Sequence, residues 1–141
     1  MKNTLICLSI IILSLTLIKN KNQNEVIIPT DSIRFRVIAS SDSELDIETK
    51  LELKDHIEKV LIDLTKNATT TEEVDKIIVD NLDFINIQIH EFLKNDNYKL
   101  DYGLNYFPSK TYKGVVYEAG VYDSLVITLG NGLGKNWWCT L

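Results

Sequence analysis

The stretch Tyr102–Cys139, YGLNYFPSKTYKGVVYEAGVYDSLVITLGNGLGKNWWC, decides how this chain folds. It holds five of the six tyrosines, all six glycines and both tryptophans. Val115, Val116 and Tyr117, then Val121, Tyr122, Leu125, Val126, Ile127 and Leu129, have the β-branched and aromatic content of strands. Gly114, Gly120 and the run Gly130-Asn131-Gly132-Leu133-Gly134 supply turns between them. The pattern predicts strands near Tyr98–Phe107, Tyr112–Tyr117 and Val121–Leu129, with a turn at Pro108-Ser109-Lys110. Glu118-Ala119-Gly120 is short enough to close a hairpin between the last two. A flexible glycine loop then leads to Asn136-Trp137-Trp138-Cys139.

Working outward, Ile33, Phe35, Val37 and Ala39 alternate with Arg34, Arg36 and Ile38, the period of a strand with one buried face. Ser43 followed by Asp46 resembles a capping box with a shorter acid, so a helix should begin near Glu44. Leu53, Ile57, Val60, Leu61 and Leu64 continue it at helical spacing, with Glu48, Lys50, Glu52, Lys54, Glu58 and Lys59 mostly outside. Thr70 and Glu73 form a full capping box. Val74, Ile77, Ile78, Leu82, Ile85, Ile89 and Phe92 then make one long apolar stripe ending at Asn95-Asp96-Asn97. The fold class that follows is α+β: a mainly antiparallel sheet of about four strands with two long helices on one face.

Before the domain stands an uncharged apolar run from Thr4 to Ile18, preceded by Lys2 and followed by KNKNQNE. An apolar core of this length after a lysine is the layout of an export signal. It is short of the roughly twenty residues of a spanning helix, yet Ser14-Leu15-Thr16 is a weak cleavage sequence. Residues 1–18 are therefore read as a signal peptide or a retained signal-anchor, 19–32 as a polar linker with Pro29, and 33–141 as a single domain. A net charge of −5 and a pI near 5.0 argue against a nucleic-acid binder, although Lys110, Lys113 and Lys135 lie among aromatics.

Catalytic and metal chemistry finds little footing. His56 and His90 are the only histidines and lack a second and third ligand at metal spacing, so no metal and no cofactor is expected. The Gly130-x-Gly132-x-Gly134 cluster has neither dinucleotide spacing nor a P-loop Lys-Ser/Thr. Asp42, Glu44, Asp46, Glu72 and Glu73 belong to solvated helix surfaces. Glu118 and Asp123 flank the Gly120 turn and are the acids a cell-wall-acting enzyme would use. Cys7 lies in the leader, which leaves Cys139 as the one cysteine of the domain: a nucleophile, a free thiol or a disulfide partner. The remaining candidates for partner contact are Tyr117, Asn136, Trp137 and Trp138, because aromatic side chains bury large areas at small entropic cost. The alternative is that both tryptophans cap the open end of the sheet as core.

YFPSKTYKGVVYEAG, then ITLGNGLGKNWWC, together with IRFRVIASSDS at residues 33–43, resemble the stage II sporulation protein R family over roughly residues 32–139. The resemblance implies a signal made in the forespore and exported between the two membranes. There it would activate a membrane-embedded aspartic protease of the mother cell, which processes the pro-form of sigma-E. The chain would then be no enzyme itself. Family members are expected to run on past the tryptophan–cysteine end through a proline-containing tail with a further cysteine, whereas this sequence stops at Leu141. A family disulfide through the position of Cys139 would lack its partner here, leaving Cys139 free or paired between chains. An envelope module held by an uncleaved leader is the other reading.

Overall fold

The computed structural model describes residues 26–27 and 31–141; the leader and most of the linker lie outside them. The chain divides into two compact units, one including Ser109–Glu118 and the other Pro29–Pro108 with Ala119–Leu141. In the smaller unit β1 (Val26–Ile27) pairs in parallel with β5 (Val115–Tyr117), which pairs antiparallel with β4 (Lys110–Tyr112). Gly114 at φ +78° and Lys113 at φ +49° make the β4–β5 turn, as expected where two consecutive residues take the left-handed conformation. Within the stretch predicted as one strand, 112–117, these left-handed residues create two short strands. Gly120 therefore does not close a hairpin between 112–117 and 121–129.

The larger unit is built on β2 (Arg34–Ile38), α1 (Glu44–Thr65), α2 (Thr71–Asp80), α3 (Leu82–Leu93), β3 (Tyr98–Phe107), β6 (Gly120–Leu129) and β7 (Asn136–Thr140). Its sheet has the order β3-β6-β2-β7. The sheet is mixed rather than mainly antiparallel: β2 runs parallel to β6, while β3 with β6 and β2 with β7 are antiparallel. Strand β7, which the sequence shows only as a costly tryptophan pair, completes the second side of β2.

The helices start where their caps predict. Ser43 Oγ accepts from the Asp46 amide at 3.2 Å and Thr70 Oγ1 from the Glu73 amide at 3.2 Å. Glu73 reaches back to the Thr69 amide at 2.7 Å, and that bond, helped by the Thr69 hydroxyl, holds its carboxyl below the usual range. The long second helix is divided in two at Asn81. The Asn81 side chain donates to the Ile77 carbonyl at 2.8 Å and its amide turns to both Ile77 and Ile78, a local competition with the helical ladder that breaks it. One face of β2, β6 and β7 and the inward stripes of the helices then enclose Phe35, Val37, Leu53, Ile57, Leu61, Ile78, Ile85, Ile89, Leu125 and Ile127, all fully buried. Lys50 is an exception to the outward reading of the α1 charges. It is buried and donates to the Lys135 carbonyl at 3.1 Å.

The other face of the sheet carries Arg34, Arg36, Val126 and Trp138, and it is covered by the sheet's own far end. Register places Arg36 beside Val126 and Phe107 beside Gly120. In a flat sheet the six positions from Val126 to Gly120 would separate them by about 20 Å. Yet the Arg36 guanidinium lies 3.8 Å from the Phe107 ring centre, and Phe107 meets Trp138 edge-on at 5.4 Å. The β3–β6 ribbon must therefore curl back over β2 and β7. Gly103 and Ser124 face each other within this ribbon, and a strand glycine commonly marks such a bend. There the Ser124 hydroxyl donates to the Gly103 carbonyl at 3.0 Å, and the Asn105 amide donates to Ser124 Oγ at 3.0 Å.

Two expectations follow. Phe107→Ala removes the buried tip of the curl and should cost about 3–5 kcal/mol, whereas Val121→Ala on the convex side should change stability by no more than about 0.5 kcal/mol. Urea unfolding of the two variants checks this, and equal effects would contradict the curl. Tyr102 donates its hydroxyl to Asp75 at 2.5 Å, tying β3 to α2. Burial first, then the Asp75 bond and the Asp75 and Asp123 charges, raise its phenol well above the ordinary value of 10.0. The sign is that of a raised acid: the contribution is complete below the unfolded value near pH 10 and is lost as pH rises towards the folded one. Tyr102→Phe should therefore lower stability by about 1 kcal/mol at neutral pH and flatten the fall of Tm above pH 10.

Candidate functional site

The C-terminal block is a strand delivered by a clamped loop. Gly130 and Gly132 adopt φ +50° and +64°, a region that side chains disfavour. The Gly130 amide donates to Asn97 O at 2.9 Å, Leu133 N to Ser40 O at 3.1 Å, and Gly134 N to Ala39 O at 2.9 Å. The Lys135 amide donates to Asp42 Oδ1 at 2.8 Å, and Lys50 holds the Lys135 carbonyl from the helix side. A Cβ on Gly134 would run into the backbone carbonyl of Ser41. The loop read from its glycines as flexible is thus tied down through Ser40, Ala39, Asp42 and Lys50, and the glycines are there for close approach.

From that anchor β7 sets the tryptophans on opposite faces, as strand alternation requires. Trp138 lies on the arginine face and is 7% exposed, against Phe107. Arg34, also buried, has its guanidinium carbon 4.1 Å from the Tyr122 ring centre and 5.6 Å from that of Trp138. Arg36 donates to the Tyr106 carbonyl at 2.7 Å, and burial lowers its pKa below the usual guanidinium value. Cation–π contacts of this kind contribute about 0.5–2 kcal/mol each.

Trp137 lies on the helix face, edge-on to Phe35 at 6.0 Å and half-buried, with the Lys54 ammonium 4.7 Å from its ring centre. Burial pulls the Lys54 pKa down, but hydrogen bonds to Asp55 and Glu58 and their charges outweigh it, so the net shift is upward. Asn136 is exposed and Cys139 half-buried towards the core. Of the expected contact residues, the structure therefore brings Asn136 and Trp137 together at a sheet edge and gives Trp138 to the interior. Tyr117 belongs to the smaller unit.

The acid pair and the histidines singled out in the sequence have separate settings. Glu118 belongs to the smaller unit and Asp123 to the larger. His56 stacks on Phe92 at 5.3 Å, and His90 Nδ1 lies 2.9 Å from Asp96. Among the described residues no group of three or more His, Cys, Asp or Glu is placed to hold a metal ion, and no helix is long and apolar enough to cross a membrane. The residues that the sequence reading passed over are Arg34, Arg36 and Lys50. The signal was present in the first two: their alternation with core positions on β2 puts both on one face.

The site is thus an edge strand with aromatic rings on both sides, in an α+β module with no metal-holding group among the described residues. The profile of the family described as stage II sporulation protein R matches residues 29–141, and the chain belongs to that family. It is 38% identical over 127 residues to stage II sporulation protein R of Bacillus subtilis (strain 168), covering 87% of this chain and 56% of that relative. The chain thus spans little more than half the relative's length. No solved structure matches it significantly.

Gly134→Ala should push the loop off Ser41 and cost about 1–3 kcal/mol. Faster amide exchange at Leu133, Gly134 and Lys135 would report the loosened clamp; unchanged protection would refute it.

Proposed function

We propose that this chain is an exported sporulation signal which activates the membrane-bound aspartic protease that processes pro-sigma-E, passing from forespore to mother cell. The observation that carries the reading is membership of the stage II sporulation protein R family across residues 29–141. The activity is one of binding and not of bond cleavage. An activator of this kind shifts the protease towards its active state only by the difference in its affinity for the active and inactive forms.

The apolar run Thr4–Ile18 is the export element of this proposal, whether removed or retained as an anchor. On β7, Asn136 and Trp137 carry the contact: Trp137 offers a ring already fixed by Phe35 and Lys54, so little side-chain entropy is lost on docking. Trp138 supports them from the other face, Tyr117 is a further contact, and Cys139 lies beneath.

Expression of the chain in the forespore of a sporulating host that lacks its own version, with sigma-E processing read in the mother cell, tests the proposal. Wild-type chain should restore processing. Trp137→Ala should lower it at least about tenfold in protein that circular dichroism shows to be folded. Exported, folded wild-type chain without processing would overturn the reading; full signalling by Trp137→Ala would remove β7 from it.

A further inference from the structure

The curl that covers the arginine face leaves the opposite side of the ribbon uncovered. On that convex side Leu104 pairs with Asp123 and Tyr106 with Val121. Leu104, Tyr106 and Val121 are 71%, 62% and 61% exposed. Single exposed apolar residues are ordinary, whereas a contiguous group on adjacent strands marks an interaction surface.

Beside this patch is a cleft lined by Asp31, Ile33, Thr71, Glu72, Asp75 and Asp123. Its lining has four carboxylates and neither lysine nor arginine. Among the described residues none of the four is in an ion pair. Asp123 belongs to both features, because it lines the cleft and lies directly across from Leu104.

We propose that the convex ribbon, Leu104, Tyr106 and Val121, is a docking surface for a segment of another protein that carries apolar side chains next to lysines or arginines. The apolar residues cover the ribbon and remove it from water, which supplies affinity. The basic residues meet Asp123 and the cleft beside it, which supplies selectivity and speeds encounter. A second copy of this face would set carboxylates against carboxylates, and an anionic lipid surface would be repelled in the same way. The surface is separate from β7 and suits any partner of this chemistry, whether or not that partner is the protease.

The probe is a short labelled peptide of alternating lysine and leucine, compared with its glutamate-for-lysine counterpart, against the full chain. The lysine peptide should bind, more weakly as salt rises, and the glutamate peptide should not. Leu104→Ser combined with Val121→Ser should weaken binding roughly tenfold, and Asp123→Asn should weaken it severalfold. Glu52→Gln, an equal charge change at an exposed position on α1, should leave it unchanged. Equal effects of Asp123→Asn and Glu52→Gln would reduce the binding to general charge and overturn the proposal. Binding untouched by the serine variants, equal binding of the glutamate peptide, binding to anionic vesicles lost in those variants, or a dimer that they dissolve would each overturn it as well.

Discussion

The larger unit depends on the curl of its longest ribbon. A four-stranded sheet with helices on one face leaves its other face to water, and here that face includes two arginines and a tryptophan on β2 and β7. The curl of β3 and β6 carries Phe107 and Tyr122 onto that face, so that both guanidiniums lie against aromatic rings. Ring faces attract cations through their quadrupole. The arginines thus pack the second face as flat, charged slabs, with the Tyr106 carbonyl taking one of their hydrogen bonds.

The same curl explains the placement of β7. Trp138 has a partner in Phe107 only because the ribbon tip arrives there, and Trp137 has Phe35 and Lys54 only because β7 pairs beside β2. The glycine loop sets that pairing. Its backbone approaches Ala39, Ser40 and Ser41 more closely than a side chain would allow at Gly130 and Gly134. Lys50 secures the loop from α1, an instance of a long side chain burying its stem and spending its ammonium on a single carbonyl. Edge strands are exposed templates for pairing, and β7 presents Trp137 and Asn136 along such an edge.

Family membership and geometry bear on different levels of function. The first places the chain among sporulation proteins over residues 29–141. The second offers two surfaces of unlike chemistry: the aromatic edge of β7, and the apolar convex ribbon beside a cleft of carboxylates. Both surfaces are held on strands, which fixes their side chains before any partner arrives and so lowers the ordering cost of binding.

By itself the sequence determined the local structure. The Ser43 and Thr70 caps, the apolar stripes of the helices, the β2 alternation and the strands at 98–107 and 121–129 are short-range patterns, and the energies that set them act within a few residues. Family resemblance was legible in YFP, KTY, GVVY and NWWC for the same reason, since it is a property of the string. Tertiary structure decided what depends on distant partners. Asn81 breaks a stripe that reads as continuous, and β2 lies parallel to β6 once three helices separate them in the chain. The NWWC run becomes a strand because β2 offers an unpaired edge. Arg34 and Lys50 are buried, and Arg36 half-buried, because rings and carbonyls many residues away receive them. A charged side chain reads as exposed until something arrives to desolvate and satisfy it, and that arrival is a long-range event.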